Sequence, residues 1–138
     1  MINTAVKAAR RAASIINRAS FEVDQLRIDR KGHNDFVTEV DHASEEAVIE
    51  TLLTAYPSHG ILAEESGQTH GNPHAEHIWI IDPLDGTTNY AHNYPCFCVS
   101  VAVERDSELL AGAVFDPLLS ESFTAWAGGG SFLNGERI

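Results

Sequence analysis

The chain has 138 residues, 43% hydrophobic and 21% charged, with a formal net charge of −11. That is enough for one ordinary core, and too acidic to attract nucleic acid or phosphate without intervening cations. No apolar run approaches the ~20 residues of a membrane span, and the N-terminus lacks the continuous apolar region of a secretory signal.

Residues 1–31 carry seven Lys and Arg against three acids; residues 32–138 carry two bases against seventeen acids. The basic start is by default a solvated helix face. Ala5, Ala8, Ala9, Ala12, Ala13, Ile16 and Ala19 recur at helical spacing there and predict a first helix over 3–20. "LRIDRKGHND" reads as a short strand followed by a polar loop. "TEVDHASEEAVIETLLTAYP" has apolar positions 43, 47, 48, 52, 55 and 56, a second helix stopped by Pro57. "GILAEESG" is a short strand ending in acids and a glycine, and "QTHGNPHAEH" a loop. "IWII" reads as a strand buried on both faces, and "TTNYAH" as a short helix with Thr87 or Thr88 at its cap. After Pro95 the pattern predicts three strands, with turns near Asp106–Ser107 and Asp116–Pro117. Residues 128–130 read as a turn, since no Lys follows to make a phosphate loop. The end, "FLNGERI", reads as a turn with no terminal element to close it, which suggests a truncated domain. Two helices and then a mainly antiparallel sheet predict an α+β or layered α/β/α domain over 1–138.

Cys96 and Cys98, at i and i+2, cannot close a sensible disulfide loop, and no second pair completes a zinc site. They read as buried small hydrophobes in a reducing cytosol. Among the histidines, His70, His74 and His77 lie in a polar loop broken by Gly71 and Pro73, which disfavours zinc. His33, His42, His59 and His92 show no partner pattern.

The acids carry the chemistry. In "IWIIDPLDGTT" an apolar strand runs into two carboxylates three residues apart. Pro83 cannot donate to a sheet ladder, so the strand is expected to end there. Asp82, Asp85 and the Leu84 carbonyl then converge as hard oxygen ligands for Mg²⁺ or Mn²⁺. Gly86 allows close backbone approach, and the N–H groups of Gly86, Thr87 and Thr88 open a helix, an anion site beside the metal. In "ILAEESG", at most one of Glu64 and Glu65 is a direct ligand if the strand stays extended. In "NDFVTEVD", Thr38 and Asp41 have capping-box spacing; equally, Asp41 is a buried acceptor for a hydroxyl such as that of Thr87.

"DFVTEVD", "ILAEES", "WIIDPLDGTTNYAH" and "GGGSFLNGERI", in unbroken order from Lys31 to Ile138, resemble the inositol monophosphatase family, most closely its bacterial SuhB-type branch. The resemblance implies a Mg²⁺-dependent hydrolase of phosphate monoesters, with inositol 1-phosphate the first expectation and two or three ions in the site. It implies metal ligands at Glu64, Asp82, Asp85 and the Leu84 carbonyl. Thr87 with Asp41 would orient the attacking water. Phosphate would be held at Asp85, Gly86 and Thr87. Glu65 and Lys31, the latter on a mobile loop, would stand nearby. Lithium inhibition, a homodimer and a cytoplasmic location are expected with it. The SuhB-type branch also implies a partner role with RNA polymerase factors in transcription antitermination. Family members run to about twice this length, and a further aspartate ligand in a Trp-Asp segment has no counterpart here. A rival aspartyl-phosphate chemistry needs Asp-x-Asp, one residue shorter than the spacing present.

Overall fold

A computed structural model describes residues 1–25, 30–67 and 69–138. Two long helices, α1 (Ile2–Gln25) and α2 (Arg30–Ala55), precede eight strands and one short helix. The strands are β1 (Gly60–Ala63), β2 (Thr69–Gly71), β3 (His77–Asp85), β4 (Cys98–Arg105), β5 (Glu108–Asp116), β6 (Glu121–Trp126), β7 (Gly130–Leu133) and β8 (Glu136–Arg137). Helix α3 (Thr87–Ala91) follows β3. The sheet order is β2-β1-β3-β4-β5-β6-β7-β8. Every neighbouring pair is antiparallel except β1 and β3, which run parallel in the register Ala63↔Ile81.

The helices form because their apolar stripes keep the helical period. In α1 the stripe is almost pure alanine. Ala5, Ala8, Ala9, Ala12, Ala13 and Ile16 are all buried, and small side chains let α1 lie close against α2, β4 and β5. Arg11 leaves this basic helix to pair with Glu50 and donate to Thr51 Oγ1 (3.2 Å) on α2. Part of the N-terminal charge is therefore spent on helix packing.

Helix α2 begins earlier than the sequence pattern suggests. The expected strand at 26–29 lies outside the described residues. The expected loop after it is helical from Arg30. Buried Val37, Val40, Asp41, Ser44, Glu45, Val48 and Leu52 form one continuous stripe, of which only the apolar members stand out by hydropathy. Thr38 is thus mid-helix and caps nothing. Its hydroxyl donates back to the Asn34 carbonyl (3.0 Å), so the capping-box reading is wrong.

Strand β3 is buried on one face only. Trp79 and Ile81 are fully covered by the helix layer, while Ile80 is 37% exposed. The helices α1 and α2 lie on one side of the sheet. On the other side Leu62, Ile80, Leu109, Val114 and Phe123 reach the surface. Nor does β3 stop at Pro83. It continues to Asp85 through a register shift between Asp82 and Asp85, and a bulge is a place where a strand tolerates proline. The region after Pro95 holds five strands rather than three, because β7 and β8 form a further hairpin around Asn134–Gly135. That hairpin closes the segment read as an unclosed turn. The "QTHGNPHAEH" stretch, read wholly as loop, contributes β2 as an edge strand. The predicted turn at Asp106–Ser107 is present, with both residues at positive φ (54° and 63°), as a tight hairpin demands.

Candidate functional site

Parallel pairing of β1 and β3 brings the C-terminal ends of both strands to the same end of the sheet. Glu64 follows β1 directly, and its N–H donates to the Ile81 carbonyl (3.3 Å). Its side chain consequently stands beside that of Asp82. Burial first, and then the hydrogen bond and charge of Glu64, push the Asp82 carboxyl up to about 7, with Asp85 adding further repulsion. The Leu84 N–H, donating to Asp82 Oδ1 (3.2 Å), works the other way.

The backbone turns immediately after Ala63, so the premise that Glu64 and Glu65 lie on an extended strand fails. Their carboxyls find separate acidic neighbours. Glu65 meets Asp41, which projects from α2 and is 2% exposed. Burial, then the charge and hydrogen bond of Glu65, then Asp82, push Asp41 up to about 8, and Thr87 opposes the shift. Asp41 Oδ1 is buried with no hydrogen-bond partner.

Thr87 joins the two halves of this arrangement. Its hydroxyl lies 2.9 Å from the Leu84 carbonyl and 3.4 Å from Asp41 Oδ2. One proton serves one acceptor at a time, and the shorter contact is to Leu84. The expected partnership with Asp41 is therefore present as the longer of two alternatives. Neither Thr87 nor Thr88 caps α3. The cap is Gly86, in the left-handed region at φ 92° with no side-chain hydrogen bond. A Cβ there would come within 2.8 Å of the Cys96 carbonyl, so both conformation and space require glycine.

Five carboxyls, Asp41, Glu64, Glu65, Asp82 and Asp85, thus share one end of the sheet, drawn from α2 and the ends of β1 and β3. Among the described residues no three His, Cys, Asp or Glu side chains form a ready-made metal cage; the set stands as the pairs Glu64–Asp82 and Glu65–Asp41. The donor chemistry nonetheless fits a hard divalent cation. All donors are oxygen, burial and then neighbouring acids push the Asp41 and Asp82 carboxyls up, a repulsion a cation would relieve, and one buried carboxyl oxygen lacks a partner.

Two neighbours were not legible as such. Glu45, 4% exposed on α2, accepts from the main-chain N–H groups of Glu65 (3.0 Å) and Ser66 (3.3 Å). Its signal was its position four residues after Asp41, on the same helix face. Cys98, expected to be a buried small hydrophobe, is half-buried. Its thiol donates to Asp85 Oδ2 (3.8 Å), and burial with the nearby acids pushes it up to about 11. Cys96 is exposed. Lys31 lies in the first turn of α2 rather than on a loop, and its side chain is outside the described residues. The histidines gather no zinc site among the described residues. His59, read as partnerless, is in fact stacked between Tyr56 and His77.

The model of the inositol monophosphatase family matches residues 1–138. The chain is 43% identical over its whole length to the Nus factor SuhB of Pseudomonas aeruginosa, covering 51% of that protein. It is 39% identical to the inositol-1-monophosphatase of Mesorhizobium japonicum, covering 52%. Its fold superposes on the SuhB crystal structure from Bartonella henselae with a TM-score of 0.86 at 35% identity, covering 99% of this chain and 52% of that one. The chain spans about half the length of the curated relatives it matches.

Proposed function

This chain belongs to the inositol monophosphatase family, and from that premise we propose that it supplies the acidic half of a Mg²⁺-dependent phosphate monoester hydrolase acting on inositol 1-phosphate. The observation that carries the reading is the gathering of the Glu64, Asp82 and Asp85 carboxyls at one end of the sheet, with Thr87 and Asp41 behind them. Glu64, Asp82, Asp85 and the Leu84 carbonyl would hold Mg²⁺, with Mn²⁺ a substitute. When bound, the cations supply Lewis-acid chemistry and cancel the charge that would repel a phosphate.

The chain's own groups do the rest. A Thr87 hydroxyl that donates to Leu84 or Asp41 has lone pairs free to accept from a water, which orients that water toward phosphorus. Asp41, once bound cations relieve the surrounding negative charge and it ionises, would be the acceptor at hand for the proton. The first-turn N–H groups at Gly86 and Thr87 have no acceptor within the helix and suit phosphate oxygens. The Gly86 conformation aims them.

The test is phosphate release from inositol 1-phosphate, with and without magnesium and lithium. It is run on the chain itself and on a chimera in which it replaces the matching half of the Mesorhizobium japonicum enzyme. Magnesium-dependent release by the chimera, lost in Asp85→Asn, is the expected result; a chimera equally active after that substitution refutes the assignment.

The name Nus factor, carried by relatives at 43–44% identity, favours a second role, as a cytoplasmic partner of transcription antitermination complexes. Capture of RNA polymerase factors that survives replacement of both Asp82 and Asp85 by Asn would separate this role from hydrolysis.

A further inference from the structure

Glu45 carries out a function that no motif of the sequence announces. It leaves α2 one turn beyond Asp41 and is nearly as well buried. A buried carboxylate is costly without partners. Those it has are two main-chain donors, the N–H groups of Glu65 and Ser66, both on Oε2. The turn that contains them is closed by the Gly67 N–H donating to the Glu64 carbonyl (3.2 Å). On its other side the Glu64 N–H is tied to the Ile81 carbonyl of β3 (3.3 Å). The backbone bearing both glutamates is therefore tied to the strand that bears Asp82 and to the helix that bears Asp41.

Without the helix tether, the turn keeps its link to β3 and its place between the paired strands β1 and β2 (Leu62↔Thr69), but it loses the acceptor that fixes the orientation of its Glu65 and Ser66 peptides. The two carboxyls would then lose their separate directions, Glu64 toward Asp82 and Glu65 toward Asp41. We propose that Glu45 is a positioning residue: by holding the Glu65 and Ser66 N–H groups it aims the Glu64 carboxyl at Asp82, and so sets the divalent-cation affinity of the acidic cluster. In this role Glu45 acts through the backbone of the turn, with Oε2 on the two N–H groups. The inference rests on the reading of the cluster as a cation site.

The experiment titrates the chain with Mn²⁺ alone, following free Mn²⁺ by electron paramagnetic resonance. Each variant is measured where circular dichroism shows it folded. Glu45→Ala removes the acceptor, Glu45→Asp withdraws it by one methylene, and Glu45→Gln keeps an oxygen in place. Loss of an orienting partner typically weakens metal binding roughly 10–100-fold. That loss is expected in E45A and E45D, with faster hydrogen exchange at the Glu65 and Ser66 amides. E45Q is expected to restore both. Should E45A fail to fold, E45D against E45Q gives the same comparison. A folded E45A or E45D with wild-type Mn²⁺ affinity overturns the positioning role while leaving the cation site standing. A wild-type chain that takes up no Mn²⁺ overturns the cation reading and this inference with it.

Discussion

Glu64 and Asp82 face each other because β1 and β3, alone among the strand pairs, run parallel. Glu64 is the residue after Ala63 and Asp82 the residue after Ile81, so the paired register Ala63↔Ile81 makes the two acids neighbours. In an antiparallel pair the two acids would lie at opposite ends of the sheet. The partnership predicts strong coupling in cation binding. Glu64→Gln and Asp82→Asn should each weaken Mn²⁺ binding by about tenfold or more, and the double variant should cost well under the sum. Calorimetric titration of the cycle checks it, and strict additivity would mean the two carboxyls act separately.

A pH dependence follows from the raised carboxyls. Asp41 at about 8 and Asp82 at about 7 start from an unfolded value of 3.8. Between about pH 4 and pH 8 the unfolded chain gives up protons that the folded chain keeps. Stability from these groups is therefore fully present at low pH and lost as pH rises through the folded values. A cation binds the deprotonated folded form and offsets that loss. Magnesium should raise the melting temperature at about pH 8 and leave it unchanged at about pH 4. Thermal melts at both values decide the matter; an equal shift at each would mean that binding occurs elsewhere.

Much of this site was legible because its ligands are short-range. Asp82 and Asp85 lie at the end of one apolar strand, Pro83 marks the irregularity between them, and Gly86 marks where the backbone leaves the sheet. Glu45 and Glu65 were harder because their roles depend on pairing. The sequence does not state that β1 and β3 are parallel, nor that the chain turns at Glu64, and with those two facts missing an extended reading sends Glu65 away from the site. Helix α2 hid its start for a related reason. Asp41, Ser44 and Glu45 are polar yet buried, so a stripe counted in apolar residues breaks where the functional face begins. The face of β3 opposite the helices was misread because four consecutive apolar residues do not reveal that Ile80 is left uncovered.

Gly86 should be the least replaceable residue near the site. Alanine there needs a positive φ, and its Cβ would press on the Cys96 carbonyl and the Phe97 backbone. Strain of this kind costs of order 1–3 kcal/mol. The same shift would turn the Asp85 carboxyl and the Thr87 hydroxyl away from their partners. Gly86→Ala is expected to lower the unfolding free energy in urea titrations by that amount and to weaken Mn²⁺ binding together with it. A variant that loses stability but titrates normally would show that the turn can relax without moving the acids.

At the opposite end of β3, His59 should make the fold sensitive to acid. Its ring is stacked between Tyr56 (4.6 Å) and His77 (4.9 Å), and its Nδ1 accepts from the Trp79 indole N–H (3.0 Å). A ring nitrogen that accepts this bond cannot also carry a proton, and burial, then His77, then the N-terminal amino group hold His59 below its usual 6.5. The unfolded chain takes up a proton near pH 6.5 that the folded chain refuses, so stability is present above that value and lost as pH falls. This slope opposes that of the acidic cluster and has a separate reporter. Trp79 is fully buried and Trp126 is 40% exposed, so a Trp126→Phe background isolates the indole that touches His59. Its fluorescence should show weakening stability below about pH 6.5 in urea titrations, and His59→Gln, which keeps an acceptor without titrating, should flatten that decline. A decline unchanged in His59→Gln would assign the acid sensitivity to other groups.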